Sequence, residues 1–502
     1  MKSIFSTIFF NLHNNGAHTA MVIDKQAISY HDFNQVVNFI AKKIINTKHQ
    51  VIYIYAEKTV ISYAAIIAVI KSGRCFVPLN PDFPKQRLVD ILHQVGLGVL
   101  IADYKKQKEV ESLIPLKNRL VDIVLFDQLE VFKPTENIPF QSPDGESPLY
   151  ILFTSGSTGS PKGITISYRN AHHYIHKVNE ILAILKTDKL SQHFELNFDL
   201  AIHDILLSFY SGACLCVPSF LDKLFPANYI KKHQITVWFS VPSMIQQMHQ
   251  MKQLTANTFA SLRLSLFCGE ALSTHAARYW QAAAPSSLLF NLYGPTEATI
   301  AFTYFKISTA ALAADDSLIP IGQPFLGLSI KIIDKENKVI KKAFVEGELC
   351  LAGDQLSIGY LNNPEQTKQA FYEDTQDKKR WYKTGDIVHY NQQDQLVFKY
   401  RKDTQIKLNG YRIELTEIQS SIERAFAGIH CALLFKNNNI IVFYVVPHGT
   451  VIEVKQLIDH CQRHLPRYSV PQHWHELACF PRNDNGKIDF IALHQMIQHS
   501  LN

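Results

Sequence analysis

The chain has 502 residues, 47% hydrophobic and 19% charged, which is the balance of a folded protein and excludes a disordered one. That length exceeds one compact core, so two or more domains are expected. A net charge of +6, with no run of five or six Lys or Arg, excludes a nucleic-acid footprint and suits phosphate-rich ligands or an acidic protein partner.

The N-terminal apolar stretch is short and no small-residue cleavage site follows it, so no signal peptide is expected. No apolar run reaches the length of a membrane span. Eight cysteines are scattered without a CxxC pair, which reads as buried reduced thiols in a cytoplasmic protein. Short apolar runs then alternate with amphipathic segments: a strand pattern over 51–55, a helical pattern over 60–71, a strand over 75–79. This alternation predicts α/β layers. Residues 149–154 read as a strand entering a Gly/Ser loop. Further strands are expected at 235–239 and 264–267, the second ending at Cys268-Gly269-Glu270. Runs at 326–334 and 348–352 predict an antiparallel, β-rich region. Near Tyr400 the composition changes, and Arg401-Lys402-Asp403 is a polar break. Beyond it lie a helix over about 415–426, strands over 431–435 and 440–446, and a helix from about 453. The expected organisation is a large mixed α/β and β-rich N-terminal domain over 1–400, a hinge at 401–403, and a small α+β C-terminal domain over 404–502.

The strongest local signal is Thr154-Ser155-Gly156-Ser157-Thr158-Gly159-Ser160-Pro161-Lys162-Gly163. Its glycines let backbone N–H groups turn toward an anion. Its hydroxyls donate to phosphate oxygens, and its lysine adds a compact positive charge. No GK[ST] follows the glycines, so the loop is not a Walker A motif. A flexible linker needs neither the strand before it nor the Pro-Lys-Gly after it. The second signal is Asn291-Leu292-Tyr293-Gly294-Pro295-Thr296-Glu297. Its aromatic ring can support a flat base, and its carboxylate can hold Mg²⁺. The third is Tyr382-Lys383-Thr384-Gly385-Asp386, whose carboxylate can accept from two ribose hydroxyls. Taken singly, the last two also fit ordinary turns with a surface carboxylate. His172/His176 and His460/His464 are each four apart, but neither pair has the Glu of a zinc-protease motif, and metal ligation by histidine is not expected.

These segments stand in one order, followed by Arg401-Lys402-Asp403 and Asn485-Gly486-Lys487-Ile488-Asp489. In that order the chain resembles the adenylate-forming superfamily of acyl-CoA synthetases, luciferases and peptide-synthetase adenylation domains. Within it the chain looks most like stand-alone amino-acid adenylation enzymes, including D-alanine:carrier-protein ligases. The resemblance runs from about Ile28 to Lys487. It includes the run from Ala68 to Gly73, Val77-Pro78-Leu79-Asn80-Pro81, the stretch from Gly347 to Gly353, and Gly359-Tyr360. Departures are modest: Tyr400 stands where members often have Gly, and Gly73-Arg74-Cys75 replaces a common Gly-Gly-Ala.

The resemblance implies ATP and Mg²⁺ as cofactors and assigns roles by position. Thr154, Ser155, Gly156, Ser157, Thr158, Gly159 and Lys162 would hold the β- and γ-phosphates. Tyr293 would stack on adenine, and Asn291 would reach its amino edge. Thr296 would touch the α-phosphate, and Glu297 would bind Mg²⁺. Asp386 would hold the ribose with Arg401 nearby. Lys487 would bridge the substrate carboxylate and the α-phosphate. Asp403 would be the pivot of a mobile C-terminal domain, and Gly410 would line the tunnel for the incoming thiol. Asp199, Leu200, His203, Phe239, Leu266, Cys268, Leu292, Ile300 and Ala301 would line the substrate pocket.

A buried lone carboxylate is costly without a cation, so Asp199 favours an ammonium-bearing substrate over the acids of an acyl- or aryl-CoA synthetase. The joint presence of Lys162, Glu297, Asp386 and Lys487 argues against an inactive binding protein of the same fold. The pocket set is mostly apolar and bulky, which favours a compact, uncharged amino acid. Cys268 resembles the selectivity position of D-alanine ligases, the set Leu200, Phe239, Leu266 and Leu292 is similar to that of L-proline activators, and His203 matches neither. No carrier domain is visible up to Asn502, so the expected acceptor is a separate phosphopantetheinylated carrier protein, or CoA.

Overall fold

The computed structural model describes residues 3–114, 121–127, 131–156, 161–313, 318–447, 449–483 and 487–500. The chain divides into two compact units. One comprises Met1–Pro81, Gln94–Phe153 and Gly163–Lys402; the other comprises Asp82–His93, Thr154–Lys162 and Asp403–Asn502.

The first unit is built from layered sheets. Among the described residues, one sheet of nine strands places Leu288–Tyr293, Leu264–Phe267, Val237–Ser240 and Lys189–Ser191 side by side. These four run parallel, and Thr303–Lys306 turns back antiparallel on Leu288–Tyr293. A second sheet, largely parallel, carries Pro148–Thr154, Cys75–Leu79, Val51–Tyr55 and Gly98–Asp103 in that order. The helix Val60–Lys71 packs on three of those strands and on the helix Tyr30–Ile44. It reads VISYAAIIAVIK and is buried on all sides, which an apolar run without a polar face requires. A third, antiparallel sheet holds Ser329–Ile333, Gly347–Ala352 and Arg380–Tyr390, with Leu396–Arg401 paired on the last. This is the β-rich region that the alternating runs predicted.

The second unit has its own core. The strands His430–Lys436 and Asn439–Val445 form a hairpin, with His473–Glu476 parallel beside them. Cys431, Leu433, Ile440 and Val442 face the helices Leu415–Ala425 and Val454–His464, while Ala432, Leu434, Ile441 and Phe443 face Leu493 and Ile497 of the helix Phe490–Ser500. The two-residue period thus makes a three-layer α/β/α sandwich. A smaller hairpin pairs Gln405–Leu408 with Tyr411–Glu414. Asn409 and Gly410 join them at φ of 51° and 80°, the doubly positive turn that matches strand twist. Arg87 pairs with Glu417 at 2.8 Å, both nearly inaccessible, and so ties the Asp82–His93 segment to this core.

Candidate active site

The strand Leu288–Tyr293 organises the first unit's site. Successive side chains point to opposite faces of a strand, so Asn291 and Tyr293 leave on one side and Leu292 on the other. Asn291 Nδ2 donates to the carbonyls of Ile319 (3.2 Å) and Pro320 (2.9 Å). Its Oδ1 has no partner among the described residues although the residue is buried. A buried acceptor without a donor fits the exocyclic amino group of adenine. The Tyr293 hydroxyl donates to Asp386 Oδ2 at 2.5 Å. Burial, and then the Asp386 charge, push this phenol well above its ordinary range. Arg401 Nη1 donates to Asp386 Oδ1 at 2.9 Å and to the Thr384 carbonyl at 2.7 Å. The pairing of Arg380–Tyr390 with Leu396–Arg401, in which Asp386 opposes Arg401, sets this geometry.

After Tyr293 the chain must turn sharply. A Cβ on Gly294 would meet Ala301 Cα at 2.6 Å, so only glycine allows the close approach. Thr296 and Glu297 then sit on a single 3₁₀ turn, Thr296–Ala298. Glu297 is buried, and its Oε1 accepts from the Tyr360 hydroxyl at 2.9 Å. One oriented carboxylate suits Mg²⁺, which takes one or two protein carboxylates and completes its shell with phosphate and water. Thr299 and Ile300 follow at φ of 58° and 71°, a region that β-branched residues avoid. Gln355 holds them there. Its Nε2 donates to the Ala301 carbonyl at 2.6 Å, and its own carbonyl accepts from Thr299 Oγ1 at 2.6 Å.

The other face carries residues expected to line the substrate pocket. Phe239, Leu266 and Phe290 are in register across three parallel strands, which brings Cys268 and Leu292 to the same face two residues on. Asp199, Leu200 and His203 come from the helix Asp199–Ser211. Its N-cap is Phe198, so Asp199 is the first helical residue, where a carboxylate is favoured by the helix dipole. Leu200, His203, Phe239, Leu266, Cys268, Leu292, Ile300 and Ala301 are all buried, and Asp199 is 8% exposed.

In the second unit, Ser155 Oγ donates to the Arg412 carbonyl (2.8 Å) and accepts from the Glu414 N–H (3.0 Å). Thr154 Oγ1 is buried without a partner among the described residues. Ser157, Thr158 and Gly159 lie outside the described residues. Lys487 is exposed; its N–H donates to Asn483 Oδ1 at 3.1 Å, and the Asn483 N–H donates back to the Lys487 carbonyl at 2.8 Å. Asp403 Oδ1 accepts from the Gln405 N–H at 3.2 Å. Sequence reasoning missed Gln355, whose partners are carbonyls more than fifty residues upstream. It quoted Gly359-Tyr360 without a role for the Tyr360 hydroxyl.

The model of the family described as AMP-binding enzyme matches residues 10–361. D-alanine–D-alanyl carrier protein ligase of Listeria innocua is 30% identical over 493 residues, 94% of each chain. Zwittermicin A synthase ZmaJ of Bacillus cereus is 28% identical over 94% of this chain and 90% of its own length. The structure of the Vibrio cholerae adenylation domain AlmE with glycyl-adenosine-5'-phosphate superposes with a TM-score of 0.87 at 29% identity, covering 99% of this chain and 98% of that one. The chain belongs to the AMP-binding enzyme family and is an adenylate-forming ligase of the kind that includes D-alanine–carrier-protein ligases and peptide-synthetase adenylation domains.

Proposed function

We propose that the chain activates a small, uncharged amino acid as its aminoacyl-adenylate and passes the acyl group to the phosphopantetheine thiol of a separate carrier protein. The observation that supports this reading is the burial of the proposed lining, in which one carboxylate, Asp199, heads residues that are otherwise mostly apolar. Such a lining suits a substrate whose charged end is an ammonium and whose side chain is small. The named relatives agree: one is a D-alanine ligase and another binds a glycyl-adenylate.

In the first step a substrate carboxylate oxygen attacks the α-phosphorus of ATP, and the bond to the bridging oxygen of pyrophosphate breaks. Asn291 and Tyr293 bind the base, Asp386 with Arg401 binds the ribose, and Thr296 orients the α-phosphate. Two anions meet, so the transition state needs positive charge between them, and Lys487 supplies it. A Mg²⁺ held by Glu297 would neutralise charge on the phosphate oxygens. Positioning and charge suffice, so no protein nucleophile takes part. In the second step the carrier thiolate attacks the acyl carbonyl and AMP departs. Asp403 is the pivot between the two steps, and Gly410 lines the path of the thiol. A cytoplasmic location fits this use of ATP.

ATP–pyrophosphate exchange over an amino-acid panel tests this reading. Exchange is expected with small uncharged amino acids, and Lys487→Ala is expected to lower it about 10²–10³-fold with unchanged circular dichroism. Preference for glutamate, lysine or a fatty acid would overturn it, as would normal exchange in the variant.

A further inference from the structure

The pocket contains a polar group that an aliphatic side chain leaves unused. His203 lies one helical turn beyond Asp199 on Asp199–Ser211, so the two share a face. Its ring is fully buried, with the Phe239 ring centroid 4.6 Å away. His203 Nδ1 is 2.7 Å from the hydroxyl of Tyr174, which projects from the helix Tyr168–Leu182. His203 Nε2 has no hydrogen-bond partner among the described residues.

The tautomer follows from counting protons. The Tyr174 phenol is fully buried and must place its own hydrogen; its bonding partner among the described residues is His203 Nδ1. With the phenol donating, Nδ1 is the acceptor and the ring proton sits on Nε2. Burial holds the imidazole neutral, pulling it down to about 3. His203 therefore presents an N–H donor with no acceptor among the described residues, a state that costs free energy until something fills it. Tyr150 adds a second buried hydroxyl without a partner among the described residues. Tyr150 and Tyr174 are both fully buried, and burial above any neighbouring charge raises both phenols.

We propose that the substrate supplies the missing acceptor: the activated amino acid carries a hydroxyl on its β-carbon, as serine does, and the Nε2–H of His203 donates to it while Tyr174 acts as the positioning residue behind the ring. This rests on the amino-acid adenylation reading and narrows it. A β-hydroxyl adds one oxygen to alanine, so the substrate stays within the small size that the closed lining demands. A site built to hydrogen-bond a hydroxyl rejects the analogue lacking it far more strongly than an apolar site separates neighbours in size.

Pyrophosphate exchange with the full chain decides the matter, using glycine, both enantiomers of alanine and serine, and threonine. One serine enantiomer is expected to exceed the matching alanine at least ten-fold in kcat/KM. His203→Leu is expected to abolish that ratio, and His203→Gln, which restores an N–H donor, to recover part of it. Tyr174→Phe is expected to raise KM for serine while leaving KM for ATP and for alanine unchanged, a split that a purely structural role would not produce. Glycine or alanine equal to serine in the unaltered chain would overturn the proposal and mean that bound water satisfies His203. A serine-to-alanine ratio unmoved by Tyr174→Phe would also overturn it. Absence of exchange with every amino acid would instead overturn the adenylation reading on which it stands.

Discussion

The two faces of the strand Leu288–Tyr293 satisfy their polar groups to different degrees. On the nucleotide face, Asp386 accepts from Tyr293 and Arg401, and Arg401 also bonds a carbonyl, so the polar groups arrive already oriented. Such a network needs little reorganisation when ATP binds, which is how fixed dipoles become effective. On the pocket face, Leu266, Phe239, Cys268 and Leu292 pack an apolar lining around a single His203 whose Nε2 lacks a partner among the described residues. The nucleotide is common to every reaction of the family, and a polar network oriented in advance, with Asn291 Oδ1 as its one acceptor without a donor among the described residues, suits it. The amino acid is what differs between members, and selectivity comes from shape and from one or two groups left for the substrate to complete.

The comparison breaks most severely at Asp386. Asp386→Ala leaves the Arg401 guanidinium, which is largely buried, without its carboxylate. Breaking such a pair costs about 3–5 kcal/mol of stability, and KM for ATP should rise steeply while amino-acid selectivity is unchanged. Denaturant unfolding and exchange kinetics check both halves. An unchanged KM for ATP would remove Asp386 from the nucleotide site.

Acid should act next, through two histidines, one of them the His203 of the proposed pocket. His203 is fully buried and His193 half-buried with both ring nitrogens inaccessible, and burial pulls each down to about 3. In the unfolded chain each titrates at about 6.5. The unfolded state therefore takes up protons first as pH falls, so stability is full above about pH 6.5 and is lost progressively toward pH 3. At pH 5 each histidine removes about 2 kcal/mol. His203→Leu should cancel one of the two contributions, which unfolding midpoints at pH 7 and pH 5 will show.

Sequence patterns revealed these regions unequally. The nucleotide residues lie in short contiguous motifs, because a strand followed by a tight turn fixes Asn291, Tyr293 and Glu297 within seven positions. The alternation of runs likewise foretold the α/β layers, and the runs at 326–334 and 348–352 foretold the β-rich sheet, because both signals are local in sequence. The supporting residues were invisible for the opposite reason. Gln355 acts on carbonyls of residues 298–301, and Tyr174 meets His203 across two helices. Neither partnership has a spacing that a linear pattern can register. The positive φ at Thr299 and Ile300 was also hidden, because neither residue advertises a left-handed turn as glycine or asparagine does.

Gln355 joins the two proposed faces, since it holds the turn that leads from Glu297 to Ile300 and Ala301. Gln355→Leu preserves approximate volume but strips the Ala301 carbonyl of its donor. One buried group left unsatisfied costs about 1–3 kcal/mol. Relaxation of the strained turn should raise KM for ATP and for the amino acid together, in contrast to Asp386→Ala. If only stability fell and both KM values held, the turn would be structural alone.

The smallest effect is expected for Tyr293→Phe, and it separates two roles that one side chain combines. The ring remains to stack on adenine, while the hydroxyl that donates to Asp386 at 2.5 Å is lost. A hydrogen bond to a charged group contributes about 1.5–3 kcal/mol, but Arg401 still pairs with Asp386 at 2.9 Å, so the carboxylate keeps a partner and the loss should fall at the lower end. Removal of the phenol also removes a group that burial and Asp386 already held protonated, so no new pH dependence should appear. KM for ATP is expected to rise only a few-fold, with the amino-acid preference unmoved, and Tyr293→Leu, which deletes the stacking surface, should cost clearly more. Equal effects of the two variants would mean that the hydroxyl, through Asp386, and not the ring, is what the nucleotide requires.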